Sequence, residues 1–302
     1  MIQRVLITGA DGFTGRYLAN ELNGAGYELH GLVHGSVAGA VSCLALLHVC
    51  DLNDVVSLTA IVKEVQPHKV VHLGAIAFVS HGDVDSMYRT NVVGTRNLLE
   101  ALVQSKAPVE TVLLASSANV YGNSVGGVLS ESAPAAPAND YAVSKLAMEF
   151  VARLYAERLP IVVARPFNYT GVGQAESFLI PKIVNHVRRH APLIELGNLE
   201  VARDFSDVRA VVRCYQLLLE ARAAVGQTFN VCSGRAWTLN EVLDIVRDIS
   251  GHPFEVRVNP AFVRQNEVKL LVGSCAKLEG AIGPVPQISL ADTLRWMLEA
   301  SV

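Results

Sequence analysis

The sequence predicts an α/β fold in which a doubly wound parallel sheet carries a smaller C-terminal lobe. Short runs rich in Val, Ile and Leu alternate with helical patterns through the first half, and those runs show little polar alternation. Strands buried on both faces have this composition, and they occur in parallel sheets with helices on either side. The regularity ends at about Pro166, where loops, prolines and short helices predominate. The second part of the chain is therefore expected to form the smaller lobe.

The predicted elements of the sheet follow one another from the N-terminus. The β-like runs are RVLITG, YELHGLVH, LALLHVCDL, KVVHLGA, TVLLASS and IVVARP. The helical patterns are TGRYLANELNGAG, DVVSLTAIVKEVQP, NVVGTRNLLEALVQS and YAVSKLAMEFVARLYAER. SDVRAVVRCYQLLLEA and TFNVCSG predict one more helix and strand of the same sheet. We therefore assign 1–165 plus about 206–234 to the sheet domain, and 166–205 plus 235–302 to the smaller lobe.

Composition excludes several classes of partner. The net charge is −3 and no basic tract occurs, which argues against nucleic-acid binding. The longest apolar stretch, GAVSCLALLHV, is too short to span a membrane, and no signal peptide is evident. The 5 cysteines are an odd number without a CxxC motif. Reduced thiols in a cytoplasmic protein are expected.

A glycine-rich segment, ITGADGFTG, links the first strand to the first helix. It contains Gly9, Gly12 and Gly15. The first glycine allows a tight turn, the second allows a pyrophosphate to approach the backbone, and the third allows helix and strand to pack closely. Glycines also serve ordinary turns, but this strand–turn–helix context predicts a dinucleotide-binding Rossmann domain.

The end of the second strand bears on the choice of cofactor. An acidic residue there binds ribose hydroxyls, whereas a basic one binds a 2′-phosphate. The segment GLVHGSV has no acid, and His34 is its one titratable group. We expect NADP or NAD, with a lean to NADP; His34 as an ordinary loop residue remains open. Asp51 ends the third strand and is expected to contact the adenine edge or to cap the next helix.

Three residues predict the catalytic chemistry. Ser117 ends a β-like run, and Tyr141 and Lys145 stand four residues apart on the helical pattern that follows. The alternative is a solvated helix face, because a YxxxK motif alone has low specificity. The carboxyl end of a parallel strand, however, delivers side chains to ligands. A tyrosine beside an ammonium can exchange a proton with a carbinol or carbonyl oxygen, which Ser117 would hold.

Together, the glycine loop, HLGA, NVVGT, SSANVYG, YAVSK and RPFN resemble the extended short-chain dehydrogenases/reductases, over nearly the whole chain. The resemblance implies Ser117, Tyr141 and Lys145 as the catalytic set, with Asn91 as a structural support. It also implies that Lys145 bonds the nicotinamide ribose. The implied cofactor-binding residues are Gly9, Gly12, Phe13, Gly15, His34, Asp51, Leu52, Leu73, Gly74, Ala75, Asn91, Tyr141, Lys145 and Pro166.

The second half is similar to nucleotide-sugar enzymes of that family, and most similar to GDP-4-keto-6-deoxy-mannose reductases. The segments that carry this likeness are ARPFNYTGVGQ, GNLEVARDFSDV and FNVCSG. The likeness implies a nucleotide-sugar-binding lobe. The expected substrate-binding residues are Asn168, Arg203, Arg264 and Glu267 in this lobe, together with Ser80 and Ser117 from the sheet domain. Arginine suits the diphosphate because its guanidinium makes bidentate contacts.

Few residues distinguish the three candidate reactions, which are 4,6-dehydration, 4-keto reduction and 4-epimerisation. In the similar 4,6-dehydratases an acidic pair directly follows the catalytic Ser or Thr, and here Ala118 and Asn119 stand there. We therefore expect no dehydration. A 4-keto reductase and a 4-epimerase both need only the triad; we favour the reductase, with the epimerase as the alternative. A non-catalytic nucleotide sensor is a second alternative.

No metal site is predicted, because the pair His186 and His190 has no evident third ligand. We expect a homodimer, since relatives pair the helices NVVGTRNLLEALVQS and YAVSKLAMEFVARLYAER into a four-helix contact.

Overall fold

The described part of the chain, taken from a computed structural model, comprises residues 2–35, 42–77, 83–122, 127–263 and 269–300. The strands are β1 Arg4–Thr8, β2 Glu28–Val33, β3 Leu46–Val49, β4 Lys69–His72, β5 Thr111–Ala115, β6 Val128–Leu129, β7 Ile161–Pro166, β8 Asn168–Thr170, β9 Leu193–Leu196, β10 Ala202–Asp207, β11 Thr228–Val231, β12 Ala236–Thr238, β13 Glu255–Val258 and β14 Leu270–Gly273. The α-helices are α1 Phe13–Gly24, α2 Val55–Val65, α3 Val84–Tyr88, α4 Thr95–Ser105, α5 Asp140–Arg153, α6 Leu179–Arg188, α7 Val208–Glu220, α8 Leu239–Ser250, α9 Ala276–Ile282 and α10 Leu290–Glu299. A π-helical turn, Arg89–Gly94, precedes α4, and a 3-10 turn, Ala118–Tyr121, follows β5.

A seven-stranded sheet forms the larger part of the molecule, with the order β11-β7-β5-β4-β1-β2-β3. Every neighbouring pair in it is parallel. The fold is therefore the α/β Rossmann type that the buried runs predicted. Because the strands are parallel, their carboxyl ends meet at one edge. The strand order reverses between β1 and β4, where ligands bind in doubly wound sheets.

Two hydrophobic layers cover this sheet, as the near-continuous apolar strands require. In β1, Val5 and Ile7 pack with α1 and α7, whereas Leu6 packs on the opposite face with α2, α4 and α5. Burial on both faces explains why the strand shows no polar alternation. The helices hold the carboxyl edge of the sheet rigidly around the candidate site.

The later part of the chain adds two smaller sheets. One has the order β12-β10-β14-β6, with β8 also paired to β10, and the other pairs β13 with β9. Helices α6, α8 and α10 bury a separate apolar cluster against them. Strand β11 instead returns to the large sheet and pairs with β7.

None of the helices in the described ranges is both long enough and apolar enough to cross a lipid bilayer.

Candidate active site

The glycine loop after β1 has a shape that larger residues would disrupt. Gly9 has a φ of +68°, and a Cβ there would lie 2.9 Å from the backbone nitrogen of Gly74. A Cβ at Gly15 would clash with the carbonyl oxygen of Gly9. Gly12 is the N-cap of α1, and no side chain accepts a hydrogen bond there. The N–H groups of the first helical turn are therefore available to a ligand. This open, dipole-aligned cradle fits the pyrophosphate of a dinucleotide.

Phe13, the first residue of α1, connects the loop with the second lobe. Its ring stacks on Tyr169 of β8 with the centroids 6.2 Å apart, and it meets Tyr17 edge-on at 5.5 Å. The Tyr169 hydroxyl also lies 2.8 Å from the Thr14 hydroxyl oxygen. The loop is therefore supported by aromatic packing as well as by its glycines.

The far end of the cofactor crevice lies at the ends of β2 and β3. His34 is 84% exposed in its side chain, and its Nε2 lies 3.5 Å from a carboxylate oxygen of Asp51. Asp51 also accepts hydrogen bonds from the Asn53 backbone and side chain, and the backbone bond is the largest cause of its lowered pKa. Leu52 is buried against Gly94. His34 and Asp51 therefore form an accessible pair at the ends of β2 and β3.

A buried histidine connects the first and fourth strands with the helix that follows. His72 Nδ1 lies 2.7 Å from Thr8 Oγ1, and its Nε2 lies 2.8 Å from Thr95 Oγ1. Thr8 Oγ1 accepts the amide of Gly74, and Thr95 Oγ1 donates to the carbonyl of Asn91. These partners assign the proton to Nε2. Burial, reinforced by the charge of Lys145, lowers the pKa of His72 to about 3.

The segment after β4 holds Leu73, Gly74 and Ala75 beside the glycine loop, with the Leu73 amide donating to the Thr8 carbonyl at 3.2 Å. Asn91, in the π-helical turn, holds the next residue of this segment, Ile76, by two hydrogen bonds. Its Oδ1 accepts from the Ile76 amide at 2.8 Å and its Nδ2 donates to the Ile76 carbonyl at 3.0 Å. Nδ2 also donates to Ser144 Oγ at 3.0 Å. Asn91 thus bridges the cofactor-side loop and helix α5.

Helix α5 presents the tyrosine and the lysine. Asn139 caps its N-terminus by accepting from the Ala142 amide at 2.9 Å, so Tyr141 lies in the first helical turn. Lys145 is 3% exposed and donates from Nζ to the carbonyl of Ala115, the last residue of β5, at 2.8 Å. Its Nζ lies 6.0 Å from the centre of the Tyr141 ring. The pair therefore lies at the carboxyl edge of the sheet and does not form a solvated helix face.

Ser117 follows β5 and begins the 3-10 turn. Its Oγ accepts the Asn119 amide at 3.2 Å and the Asn119 Nδ2 at 3.1 Å. The Ser117 hydroxyl also forms a hydrogen bond with the Tyr141 phenol, and this bond acts to lower the tyrosine pKa. Pro166 ends β7, which pairs with β5 beside this position. The structure therefore brings Ser117, Tyr141 and Lys145 together.

Burial is the main influence on the pKa values of Tyr141 and Lys145. Burial dominates at Tyr141 and, together with the nearby Tyr169, raises its pKa well above 10 despite the Ser117 hydroxyl. Burial lowers the pKa of Lys145 to about 8, although Glu149 opposes this. Burial therefore outweighs the neighbouring groups at Tyr141 and keeps its phenol protonated. A protonated tyrosine is the form that donates a proton to a substrate oxygen.

A buried ion pair beneath the site was missed by sequence reasoning. Arg165 of β7 forms a bidentate contact with Glu149 of α5, with distances of 2.8 and 2.6 Å. The same carboxylate accepts from Ser116 Oγ at 2.6 Å, and Arg165 also donates to Tyr121 Oη at 2.9 Å. This network links α5 to the strand ends that precede Ser117 and Pro166. Glu149 stands two helical turns after Tyr141 on the same face, a spacing that could have indicated it.

The substrate-side residues lie on the second sheet. Asn168 begins β8 and its Nδ2 donates to the Asp204 carbonyl at 3.4 Å, and Arg203 of β10 donates to the carbonyls of Ala202 and Lys269. Asp204, also missed, is fully buried, and its carboxylate accepts from Ser233, Gly234 and Gly273. Ser80, Arg264 and Glu267 lie outside the described residues.

The chain matches a family model described as GDP-mannose 4,6 dehydratase over residues 6–297. It belongs to the extended short-chain dehydrogenases/reductases. Its curated relatives are named as dehydrogenase, reductase and dehydratase enzymes of nucleotide sugars, and the glycine cradle described above fits NAD(P) as the cofactor.

Two curated relatives span nearly the whole chain. The GDP-6-deoxy-D-talose 4-dehydrogenase of Aggregatibacter actinomycetemcomitans is 32% identical, covering 93% of this chain and 91% of the relative. The GDP-6-deoxy-D-mannose reductase of Pseudomonas aeruginosa is 34% identical, covering 99% of this chain and 97% of the relative. Neither of these names specifies a dehydration.

Two solved structures have the same fold. A Burkholderia cenocepacia J2315 protein, provisionally described as an epimerase, is 51% identical with a TM-score of 0.93, covering 98% of this chain and 97% of that one. The structure of RMD from Pseudomonas aeruginosa complexed with NADPH is 33% identical with a TM-score of 0.84, covering 99% and 97%. Similarity over this length extends to both the large sheet and the second lobe.

Proposed function

We propose that this enzyme reduces the 4-keto group of a GDP-4-keto-6-deoxy-hexose. The observation that carries the proposal is the convergence of Ser117, Tyr141 and Lys145 at the carboxyl edge of the large sheet, beside a glycine cradle that fits NAD(P). The names of the two curated relatives support a GDP-6-deoxy sugar with chemistry at C4. The sensor alternative does not explain an assembled catalytic set.

The chain's own groups have distinct tasks in this reaction. Bound NAD(P)H supplies the hydride. Tyr141, with its raised pKa, keeps its proton at neutral pH and donates it to the carbonyl oxygen as negative charge develops there. Ser117 holds that oxygen by a second hydrogen bond. Lys145 is buried with its ammonium anchored on Ala115, and it supplies positive charge that stabilises the tyrosinate left behind.

Substrate binding is assigned to the second lobe, made of 166–205 plus 235–302. Asn168 and Arg203 lie on adjacent strands of one sheet, so their side chains can meet one diphosphate. We assign Ser80 to the sugar, and Arg264 and Glu267 to the nucleotide. The remaining segments, 1–165 plus about 206–234, bind the dinucleotide.

We infer a preference for NADP over NAD. His34 stands at the end of β2 with no acidic residue preceding it, and it is accessible to a 2′-phosphate. The nearby Asp51 carboxylate opposes a phosphate, so the preference is modest. A comparison of kcat/KM for NADPH and NADH measures it directly, and a higher value for NADH would contradict it.

The function is tested by adding GDP-4-keto-6-deoxy-mannose and NADPH to the pure protein and following absorbance. Stoichiometric oxidation is expected, and the C4 configuration of the product, read by NMR, separates a 6-deoxy-mannose from a 6-deoxy-talose product. Tyr141→Phe should lower kcat by about a thousandfold while NADPH binding stays unchanged, because only the proton donor is removed. Tyr88→Phe, on the nearby helix α3, is the matched control. Full activity in Tyr141→Phe would refute the assignment.

An epimerase is the second candidate, favoured by the description of the Burkholderia protein. A 4-epimerase keeps its cofactor while the keto sugar turns over. Absence of net NADPH oxidation, together with tightly held NAD released on denaturation, would replace the reductase with this alternative.

We further propose that the protein is a cytoplasmic homodimer. Val143, Phe150 and Leu154 form one exposed apolar face along α5, next to exposed Val93. Val93 belongs to one of the two segments that the sequence indicated for a four-helix contact, and the other three residues belong to the second. The 5 cysteines are free thiols, which suits a reducing compartment. A monomer in sedimentation at high concentration would contradict the dimer.

A further inference from the structure

The hydrogen bonds around Ser117 restrict the direction of its hydroxyl proton. A serine hydroxyl has two lone pairs that accept and one hydrogen that donates. Asn119 directs two donors at the same oxygen, its backbone amide at 3.2 Å and its Nδ2 at 3.1 Å. With both lone pairs engaged, the Ser117 oxygen has only its hydrogen left to offer.

The Ser117 hydroxyl hydrogen can still be donated toward the substrate carbonyl oxygen. Ser117 is 6% exposed, so few directions lead to solvent, and its hydroxyl also interacts with the Tyr141 phenol. A carbonyl oxygen placed between Ser117 and Tyr141 therefore meets two donors. The oriented hydroxyl needs no reorganisation when negative charge appears on that oxygen.

We propose that Asn119 is a positioning residue that locks Ser117 as a hydrogen-bond donor to the substrate carbonyl oxygen. This inference rests on the proposed reduction, because it concerns the charge that develops at C4–O. Asn119 does not itself touch the substrate in this role. It acts through the Ser117 oxygen, and the short 3-10 turn Ala118–Tyr121 holds it there.

The isosteric Asn119→Asp variant gives the sharpest test. A carboxylate only accepts hydrogen bonds, so the introduced side chain would draw the Ser117 hydrogen away from the substrate. Losing an oriented donor to a developing oxyanion costs roughly a hundredfold in kcat, and KM should change little. Asn119→Ala leaves the Ser117 hydroxyl able to rotate, so its loss should be smaller, about tenfold or less. Asn240→Asp, on the exposed start of α8, is the control for the added charge.

A double-mutant cycle separates positioning from a general structural role. In a Ser117→Ala background, Asn119→Asp should have little further effect on kcat, because the group through which it acts is gone. Additive losses in the double variant would overturn the proposal. So would an Asn119→Asp enzyme with wild-type kcat, or one that is less impaired than Asn119→Ala.

An NMR measurement that does not depend on turnover tests the role of Asn119 separately from the proposed reduction. The side-chain amide signal of Asn119 in a 15N-correlated NMR spectrum is identified by its loss in Asn119→Asp. It should shift in Ser117→Ala, because the bond to Oγ disappears, and an unmoved signal would overturn the positioning role. A wild-type protein that oxidises no NADPH with the keto sugar would refute the proposed reduction, whatever the NMR shows.

Discussion

Polar groups on the catalytic side of the site belong to closed, buried networks, whereas Asn168 and Arg203, the residues proposed to bind the substrate, are only half-buried. Lys145, Asn91 and His72 each bond to backbone or side-chain partners across different strands and helices. On the proposed substrate side, the buried Asp204 carboxylate accepts donors from two segments, Ser233–Gly234 and Gly273, while Asn168 and Arg203 are half-buried. We therefore expect a fixed geometry at the triad and a more adjustable one at the residues proposed to bind the substrate.

The largest effect is expected from breaking the catalytic-side ion pair. Glu149→Gln should lower the free energy of unfolding by about 3–5 kcal/mol, because it leaves the buried Arg165 without a counter-ion. Urea denaturation measures this loss. Glu157→Gln, at an exposed position shortly after the same helix, is the control and should change stability by less than ~0.5 kcal/mol. Equal stability of the two variants would show that the network is not structurally important.

A smaller loss of stability is expected from replacing Asp204, the buried carboxylate on the proposed substrate side. Asp204→Asn places an amide where the carboxylate accepts N–H donors, which should cost about 1–3 kcal/mol in the free energy of unfolding. The KM for the nucleotide sugar should rise with kcat nearly unchanged, since the triad lies on α5 and the turn after β5, away from the sheet that holds Asp204. Steady-state kinetics separate the two parameters, with Asp244→Asn on the exposed face of α8 as the control. A loss confined to kcat would contradict the division between the two sides.

The smallest effect is a pH dependence. Because the pKa of Lys145 is lowered to about 8, its ammonium is present below that pH and is lost as the pH rises through it. The kcat/KM for keto-sugar reduction should therefore halve near pH 8 and fall about tenfold per further unit. Glu149 raises this pKa, so Glu149→Gln, if folded, should move the decline to lower pH. A flat profile up to about pH 9.5 would exclude Lys145 as the controlling group.

Much of the catalytic side could be predicted from sequence because its signals are local. The glycine loop spans a few residues, and the Tyr141–Lys145 pair lies within one helical turn. The ion pair between Glu149 and Arg165 could not be predicted in the same way, because its partners come from a helix and a strand and meet only after the sheet has formed. Periodicity indicates which face a residue occupies, but not which partner it meets.

The substrate side was harder for the same physical reason. The donors to Asp204 come from residues 29, 30 and 69 positions away along the chain. No pattern of spacing marks such a residue. The raised pKa of Tyr141 also has no signal in the local sequence, because it depends on burial in the folded protein and on Tyr169, which is distant along the chain.

The return of β11 to the large sheet also has a consequence for the newly synthesised chain. Strand β7 obtains its outer neighbour only when residues 228–231 have left the ribosome, and the apolar face under α7 is covered at about the same stage. Until then the growing chain presents an unpaired parallel edge, which is the kind of surface that pairs wrongly with other chains. The stretch 166–205 of the second lobe therefore has to be translated before the large sheet can be completed, whereas 235–302 follows only afterwards.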